Sequence, residues 1–164
     1  MIFVTVGNFL GFPRLVNAVD RLKAQGLIQD DVLLQVGGAA DFESGSCKVV
    51  AFLQPDHFEQ QMREANVVVS HCGTGALIDA LRAGKTPVVM PRRKQYGEAV
   101  DDHQLEIAQA LAAEGRAILA YEPEDLPGAI EQARMRSSRP SVEPPARMID
   151  LVGKAIEEIL AGQD

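Results

Sequence analysis

The stretch "VVVSHCGTGALIDALRAGKTPVVMP", residues 67–91, decides the fold. It opens on three consecutive valines and breaks at His71-Cys72-Gly73-Thr74-Gly75. It then resumes with apolar residues at helical spacing until Gly84. A second apolar run, residues 87–90, follows at once. A strand that is apolar at every position must be covered on both faces, which is the mark of a parallel sheet. Strand, helix and strand in so short a span make one crossover unit.

The same alternation extends in both directions. Strands are predicted over residues 2–6, 32–36, 48–52, 67–69, 87–90 and 117–120, each short and apolar. Helices are predicted over 14–25, from Pro55 onward, and over 75–83, 101–114 and 124–136. Gly26 suits the left-handed end of the first helix and Pro55 a first helical position. The expectation is an α/β domain over residues 1–136, Rossmann-like, with a mainly parallel sheet and helices on both faces. "RSSRPSVEPPAR", residues 136–147, is rich in Ser, Pro and Arg, so 137–147 reads as an extended linker. Met148, Ile149, Val152, Ile156, Ile159 and Leu160 then form the stripe of an amphipathic helix over 148–164, which packs on the domain or docks on a partner.

Composition narrows the function. The chain has 164 residues, 46% hydrophobic and 24% charged, with a formal charge of −7. That balance is ordinary for a soluble domain and disfavours nucleic acid, which rewards a basic face. No apolar run approaches the roughly 20 residues of a membrane span. The first residues form a strand rather than a basic leader, so the expectation is a cytoplasmic protein. Two cysteines, Cys47 and Cys72, are too few for a disulfide scaffold. His57, His71, His103 and the cysteines show no metal-ligand spacing, so neither a metal nor a cofactor is expected.

The chemistry-bearing residues gather after the carboxyl ends of the predicted strands. Gly7-Asn8, Gly37-Gly38, Phe52-Leu53, Ser70-His71 and Pro91-Arg92 all fall there, on the edge where open parallel sheets bind ligands. Turn 71–75 leads directly into a helix, whose first amides lack partners and carry the positive end of its dipole. A phosphate suits that place, with Gly73 and Gly75 permitting close approach. Thr74 caps the helix or donates its hydroxyl to the anion. His71 donates to the same oxygens or satisfies a local carbonyl. Asp79, further along the helix, either faces the crevice to accept from ribose hydroxyls or is a solvated helix carboxylate, the default for an Asp seen alone. Arg92-Arg93-Lys94 either neutralises a diphosphate or stands idle, as charges on an exposed loop often do. Adjacent His103 and Gln104, in "GEAVDDHQ", suit sugar hydroxyls.

Two further classes stay open. Cys72 beside His71 near a helix start suggests a hydrolase nucleophile, although no nucleophile elbow is present. A non-enzymatic nucleotide-binding or regulatory module is the stronger alternative. "VTVGNFLG" lacks the spacing of a dinucleotide fingerprint.

"SHCGTGALIDALRAGKTPVVMPR" followed by "GEAVDDHQ" resembles the donor-binding, C-terminal half of GT-B glycosyltransferases, the family 28 C-terminal domain. "IFVTVG", "VAF" near position 50 and "ANVVVSHCGTG" extend the likeness over most of residues 1–120. It is similar to single-domain members: the catalytic subunit of the two-part transferase that adds the second GlcNAc to dolichol-linked glycan, and bacterial exopolysaccharide counterparts. The resemblance implies a UDP-sugar donor and an inverting, metal-independent transfer to a lipid-linked or polysaccharide acceptor. It implies that the backbone at Phe52-Leu53 reads uracil and that His71, the candidate catalytic residue, holds the diphosphate with turn 73–75. Asp79 would then take the ribose, and Asp102, His103 and Gln104 the hexose. A membrane-associated partner would bind the acceptor and hold this chain at the inner membrane face. Asn8 followed by "FLGF", and Asp79 where relatives often carry glutamate, depart from the family pattern.

Overall fold

The computed structural model describes residues 1–8 and 10–137. Within them, β1 (Ile2–Thr5), β2 (Val32–Gln35), β3 (Lys48–Val50), β4 (Val67–Ser70), β5 (Val88–Val89) and β6 (Ile118–Leu119) form one sheet. Its order is β3-β2-β1-β4-β5-β6, with every neighbouring pair parallel. The helices are α1 (Pro13–Ala24), α2 (Pro55–Glu64), α3 (Thr74–Arg82), α4 (His103–Ala113) and α5 (Leu126–Ser137). This is the doubly wound Rossmann-like arrangement expected from the sequence.

Strand alternation distributes the core. Ile2, Val4, Val67 and Val69 face a cluster with Leu15 and Val19 of α1 and with Ile130 and Ala133 of α5. Phe3 and Val68 point the other way, onto Met62 of α2 and Ala80 of α3. Leu77 of α3 and Ala108 and Leu111 of α4 close the far half of that face over Val89. Each fully buried aliphatic or Phe side chain stabilises by about 1.5–3 kcal/mol. All-apolar central strands are therefore what the two helical layers require.

Succession runs outward from β1 to β3 and from β4 to β6, so the direction of winding reverses between β1 and β4. A crevice opens there at the carboxyl ends of the strands. Several elements stop short of the expected bounds, for identifiable reasons. β3 ends at Val50; the Ala51 carbonyl still accepts from the Gly37 amide at 3.0 Å, after which Phe52 turns out to 51% exposure. α4 starts at His103 because the Asp102 carboxylate is spent on the Lys94 amide at 2.9 Å. A 3-10 turn, Pro123–Asp125, precedes α5, with the Asp125 carboxylate accepting from the amides of Tyr121 and Glu122. α5 includes Ser137; the expected linker beyond it and the amphipathic helix 148–164 lie outside the described residues.

Candidate functional site: a cleft at the winding reversal

Three neighbouring strands each end in a polar side chain: Thr5, Gln35 and Ser70. They lie in register, Thr5 opposite both Gln35 and Ser70, and none is more than 1% exposed. The Gln35 carboxamide ties the local loops together. Its Nε2 donates to Asn8 Oδ1 at 3.2 Å and to Thr5 Oγ1 at 3.4 Å, and its Oε1 accepts the Leu53 amide at 3.3 Å. Thr5 Oγ1 also accepts the Gly7 amide at 3.3 Å. Thr5 and Gln35 were not singled out from the sequence. A signal existed, since each apolar strand closes on a buried polar residue, which is costly without partners. Ser70 sits in this row rather than on the cleft surface, and its Oγ has no hydrogen-bond partner among the described residues.

His71 follows directly. Its amide donates to the Thr5 carbonyl at 3.3 Å, and its ring Nδ1 lies 3.3 Å from the same oxygen. A carbonyl only accepts, so Nδ1 carries the hydrogen and Nε2 keeps a lone pair. The ring lies against two glycines. A Cβ on Gly73 would stand 2.2 Å from Nε2, and one on Gly7, where φ is +80°, would stand 3.1 Å from it. Burial, reinforced by the nearby Arg92 charge and opposed by the Thr5 carbonyl, lowers the imidazole pKa to about 4. The resting ring is therefore neutral. Of the two roles expected for His71, the ring makes the contact with a local carbonyl through Nδ1; donation from Nε2 to a phosphate requires the ring to be protonated.

Cys72 turns the chain from strand to helix. Its φ of 66° is left-handed, a conformation that costs an L residue about 1–2 kcal/mol. The side chain is 1% exposed, packed with Leu77, Val89 and Ala108, and burial pushes the thiol up to about 12. An accessible thiolate is absent, so the hydrolase reading loses its nucleophile.

Gly73 is the N-cap of α3, and no side chain caps the helix. Thr74 is the first helical residue, so it is not the expected cap. The amides of Thr74, Gly75 and Ala76 precede the first intrahelical bond, from the Leu77 amide to the Gly73 carbonyl at 3.0 Å. A Cβ on Gly75 would meet nothing within 4 Å. The fold therefore requires Gly73 for the imidazole, whereas Gly75 leaves space toward the cleft. That cleft, of about 410 Å³, is lined by Gly7, Asn8, Phe52, Leu53, His71, Gly73, Thr74, Gly75 and Asp79, with Thr5 and Gln35 as its floor. Burial raises the Asp79 pKa, helped by nearby Glu59 and opposed by Arg82. The uncapped amides, the imidazole, a carboxylate one turn along α3 and an exposed aromatic thus line one cleft.

Arg92, Asp102, His103 and Gln104 do not line this cleft. Arg92 is not on an exposed loop: it is 6% exposed, with a nitrogen of its guanidinium donating to the carbonyls of Val6 and Leu10 at 2.9 and 2.7 Å. Gln104 accepts the Arg92 amide at 3.0 Å, and Asp102 accepts that of Lys94. His103 lies 3.4 Å from Asp101 and 3.8 Å from Glu106. Glu98 accepts from Arg14 at 2.7 and 2.8 Å and from the Arg93 amide at 3.0 Å. This cluster fastens the loop between β5 and α4. Among the described residues no three His, Cys, Asp or Glu side chains gather as a metal site.

Comparison with known proteins agrees with this architecture. The chain is 31% identical over 121 residues to the UDP-N-acetylglucosamine transferase subunit ALG13 of Yarrowia lipolytica, covering 68% of this chain and 60% of that protein. It is 30% identical over 156 residues to the UDP-N-acetylglucosamine–N-acetylmuramyl-(pentapeptide) pyrophosphoryl-undecaprenol N-acetylglucosamine transferase of Geobacter sulfurreducens, covering 95% of this chain and 39% of that enzyme. The chain thus spans less than two thirds of either relative. Among solved structures, the glycotransferase of kitacinnamycin matches over 98% of this chain and 39% of its own, with a TM-score of 0.63 at 19% identity. MurG of Acinetobacter baumannii matches over 93% and 49%, with a TM-score of 0.54 at 22% identity; both likenesses bear on the fold. The model of the glycosyltransferase family 28 C-terminal domain matches residues 1–158, and the chain belongs to that family.

Proposed function

We propose that this chain is the donor-binding subunit of an inverting, metal-independent glycosyltransferase that uses a UDP-sugar. The observation that carries the reading is the cleft at the winding reversal, whose lining brings together the uncapped start of α3, the His71 imidazole, Asp79 and Phe52-Leu53. The named UDP-N-acetylglucosamine transferase relatives support the donor class. In this reading the diphosphate rests on the amides of Thr74, Gly75 and Ala76, as anions do at helix starts. Asp79 accepts from the ribose, Phe52 packs on the base, and the Leu53 backbone reads its edge. The hexose extends toward Asp102, His103 and Gln104.

Transfer proceeds by attack of an acceptor hydroxyl on the anomeric carbon as the bond to UDP breaks. Negative charge grows on the departing diphosphate, where preorganised amides are most effective; one such donor is typically worth about 100- to 1,000-fold in rate. His71 strengthens this end once the anion raises its proton affinity. The base that takes the acceptor proton sits on a partner subunit, which also binds a lipid-linked or polysaccharide acceptor and holds this chain at the inner face of the membrane. The relative named as a transferase subunit supports that division. Among the described residues no helix is long and apolar enough to cross a membrane.

Calorimetry with UDP, uridine, GDP and NAD, then a panel of UDP-sugars, tests the reading. The expected result is a preference for UDP and negligible transfer by the chain alone. Preference for NAD, or no nucleotide binding, would overturn it.

A further inference from the structure

Arg92 is the buried charge that the site's direct contacts do not use. It follows β5, is 6% exposed, and its guanidinium lies over the Phe12 ring at 5.1 Å. One guanidinium nitrogen donates to the carbonyls of Val6 at 2.9 Å, Leu10 at 2.7 Å and, at the limit, Gly11 at 3.5 Å. Its Nε has no partner among the described residues. No carboxylate among them pairs with it either. Glu98, whose charge favours the guanidinium through space, is itself bonded to Arg14 and to the Arg93 amide. A buried cation with no carboxylate bonded to it is costly to keep out of water. Such a charge is retained where something else neutralises it.

Its position says what that is. The loop Arg92 grips by its carbonyls is the one carrying Gly7 and Asn8; both line the cleft, and Gly7 lies against the His71 ring. Arg92 also acts on His71 through space, opposing a second positive charge there. Asp79 and Glu59, the carboxylates lining the same cleft, lie on α3 and α2. We infer that Arg92 is a positioning residue for an anion, holding the loop after β1 against His71 and lending its charge to a diphosphate it does not touch. The inference rests on the proposed donor site and deepens it. Binding of the anion adds a counter-charge on the cleft side, whereas Glu98 acts on the guanidinium only from a distance.

The test compares Arg92→Lys, which keeps the charge, with Arg92→Met, which keeps length without charge, in the full chain. Calorimetry measures inorganic pyrophosphate and uridine separately, and NMR follows the His71 ring against pH. In Arg92→Met, pyrophosphate should weaken about tenfold or more, one pK unit's worth of free energy. Uridine should change little, and the His71 midpoint should rise. Arg92→Lys should retain pyrophosphate within about threefold and leave the His71 midpoint low, because the like charge remains. Equal loss of uridine and pyrophosphate with an unmoved His71 would reduce Arg92 to a loop prop and overturn the inference. So would pyrophosphate affinity in Arg92→Met equal to the unsubstituted chain's. Failure of the unsubstituted chain to bind pyrophosphate or UDP would instead remove the donor site itself, and this inference with it.

Discussion

The neutral imidazole of His71 makes stability depend on pH in a calculable way. An exposed histidine takes a proton near 6.5, but in the folded chain His71 does so only near 4. Between those values the unfolded state binds more protons, so stability must rise with pH across that window. The contribution is fully present above about pH 6.5 and is lost as pH falls toward 4. At about 1.4 kcal/mol per pH unit, the whole fall is worth about 3 kcal/mol, of which about 2 kcal/mol disappears between pH 7.5 and pH 5. Urea unfolding at those two pH values measures it. With a slope near 2 kcal/mol per molar, the midpoint should drop by about 1 M more in the unsubstituted chain than in His71→Gln. Taking the difference cancels every group that the two proteins share. His71→Gln is itself expected to be less stable at pH 7.5, because it leaves the seat between Gly7 and Gly73 imperfectly filled. The comparison is therefore of pH slopes, not of absolute stabilities. If both proteins lose stability equally between pH 7.5 and pH 5, the ring is not buried neutral and the tautomer argument fails.

Other consequences are separable. Gly73→Ala places a methyl 2.2 Å from His71 Nε2 and should destabilise by about 1–3 kcal/mol while abolishing UDP binding. Gly75→Ala meets nothing in the fold and should leave the urea midpoint unchanged or higher, yet weaken UDP, because its methyl enters the space proposed for the diphosphate. Binding of UDP at pH 6 should take up a fraction of a proton, seen as a dependence of calorimetric heat on buffer ionisation enthalpy; no such dependence would mean that His71 stays neutral beside the anion. Iodoacetamide at pH 8 should leave Cys72 unlabelled until the chain unfolds, since its thiol is buried and pushed up to about 12. Gln35→Leu strands the Leu53 amide and should cost about 1–3 kcal/mol. It should weaken uridine more than pyrophosphate, as competition calorimetry would show.

What the sequence disclosed and what it hid follow from the range of the forces involved. The valine runs and the glycine bends are local statements, so the parallel sheet, its helices and turn 71–75 were readable from periodicity and chain reversal alone. Side-chain destinations are not local. Arg92-Arg93-Lys94 looks like one exposed basic loop, yet Arg92 turns inward because the carbonyls of Val6 and Leu10, some eighty residues earlier, need a donor there. Likewise Asp102 and Gln104 meet the amides of Lys94 and Arg92, an exchange set by how the loop folds back on α4. Gln35 shows the opposite case. Its place in an otherwise apolar run was a signal left unread, because a buried carboxamide survives only where several partners converge. Those partners, Asn8, Thr5 and Leu53, come from separate segments and meet only in the fold. Glycine was half legible in the same sense. Gly73 and Gly75 look equivalent in "HCGTG", but only Gly73 carries the imaginary methyl into a neighbour. A glycine that the fold does not demand, at the uncapped start of a helix, leaves room for something the chain does not contain, and the contrast between Gly73→Ala and Gly75→Ala separates the requirement of folding from the requirement of a ligand.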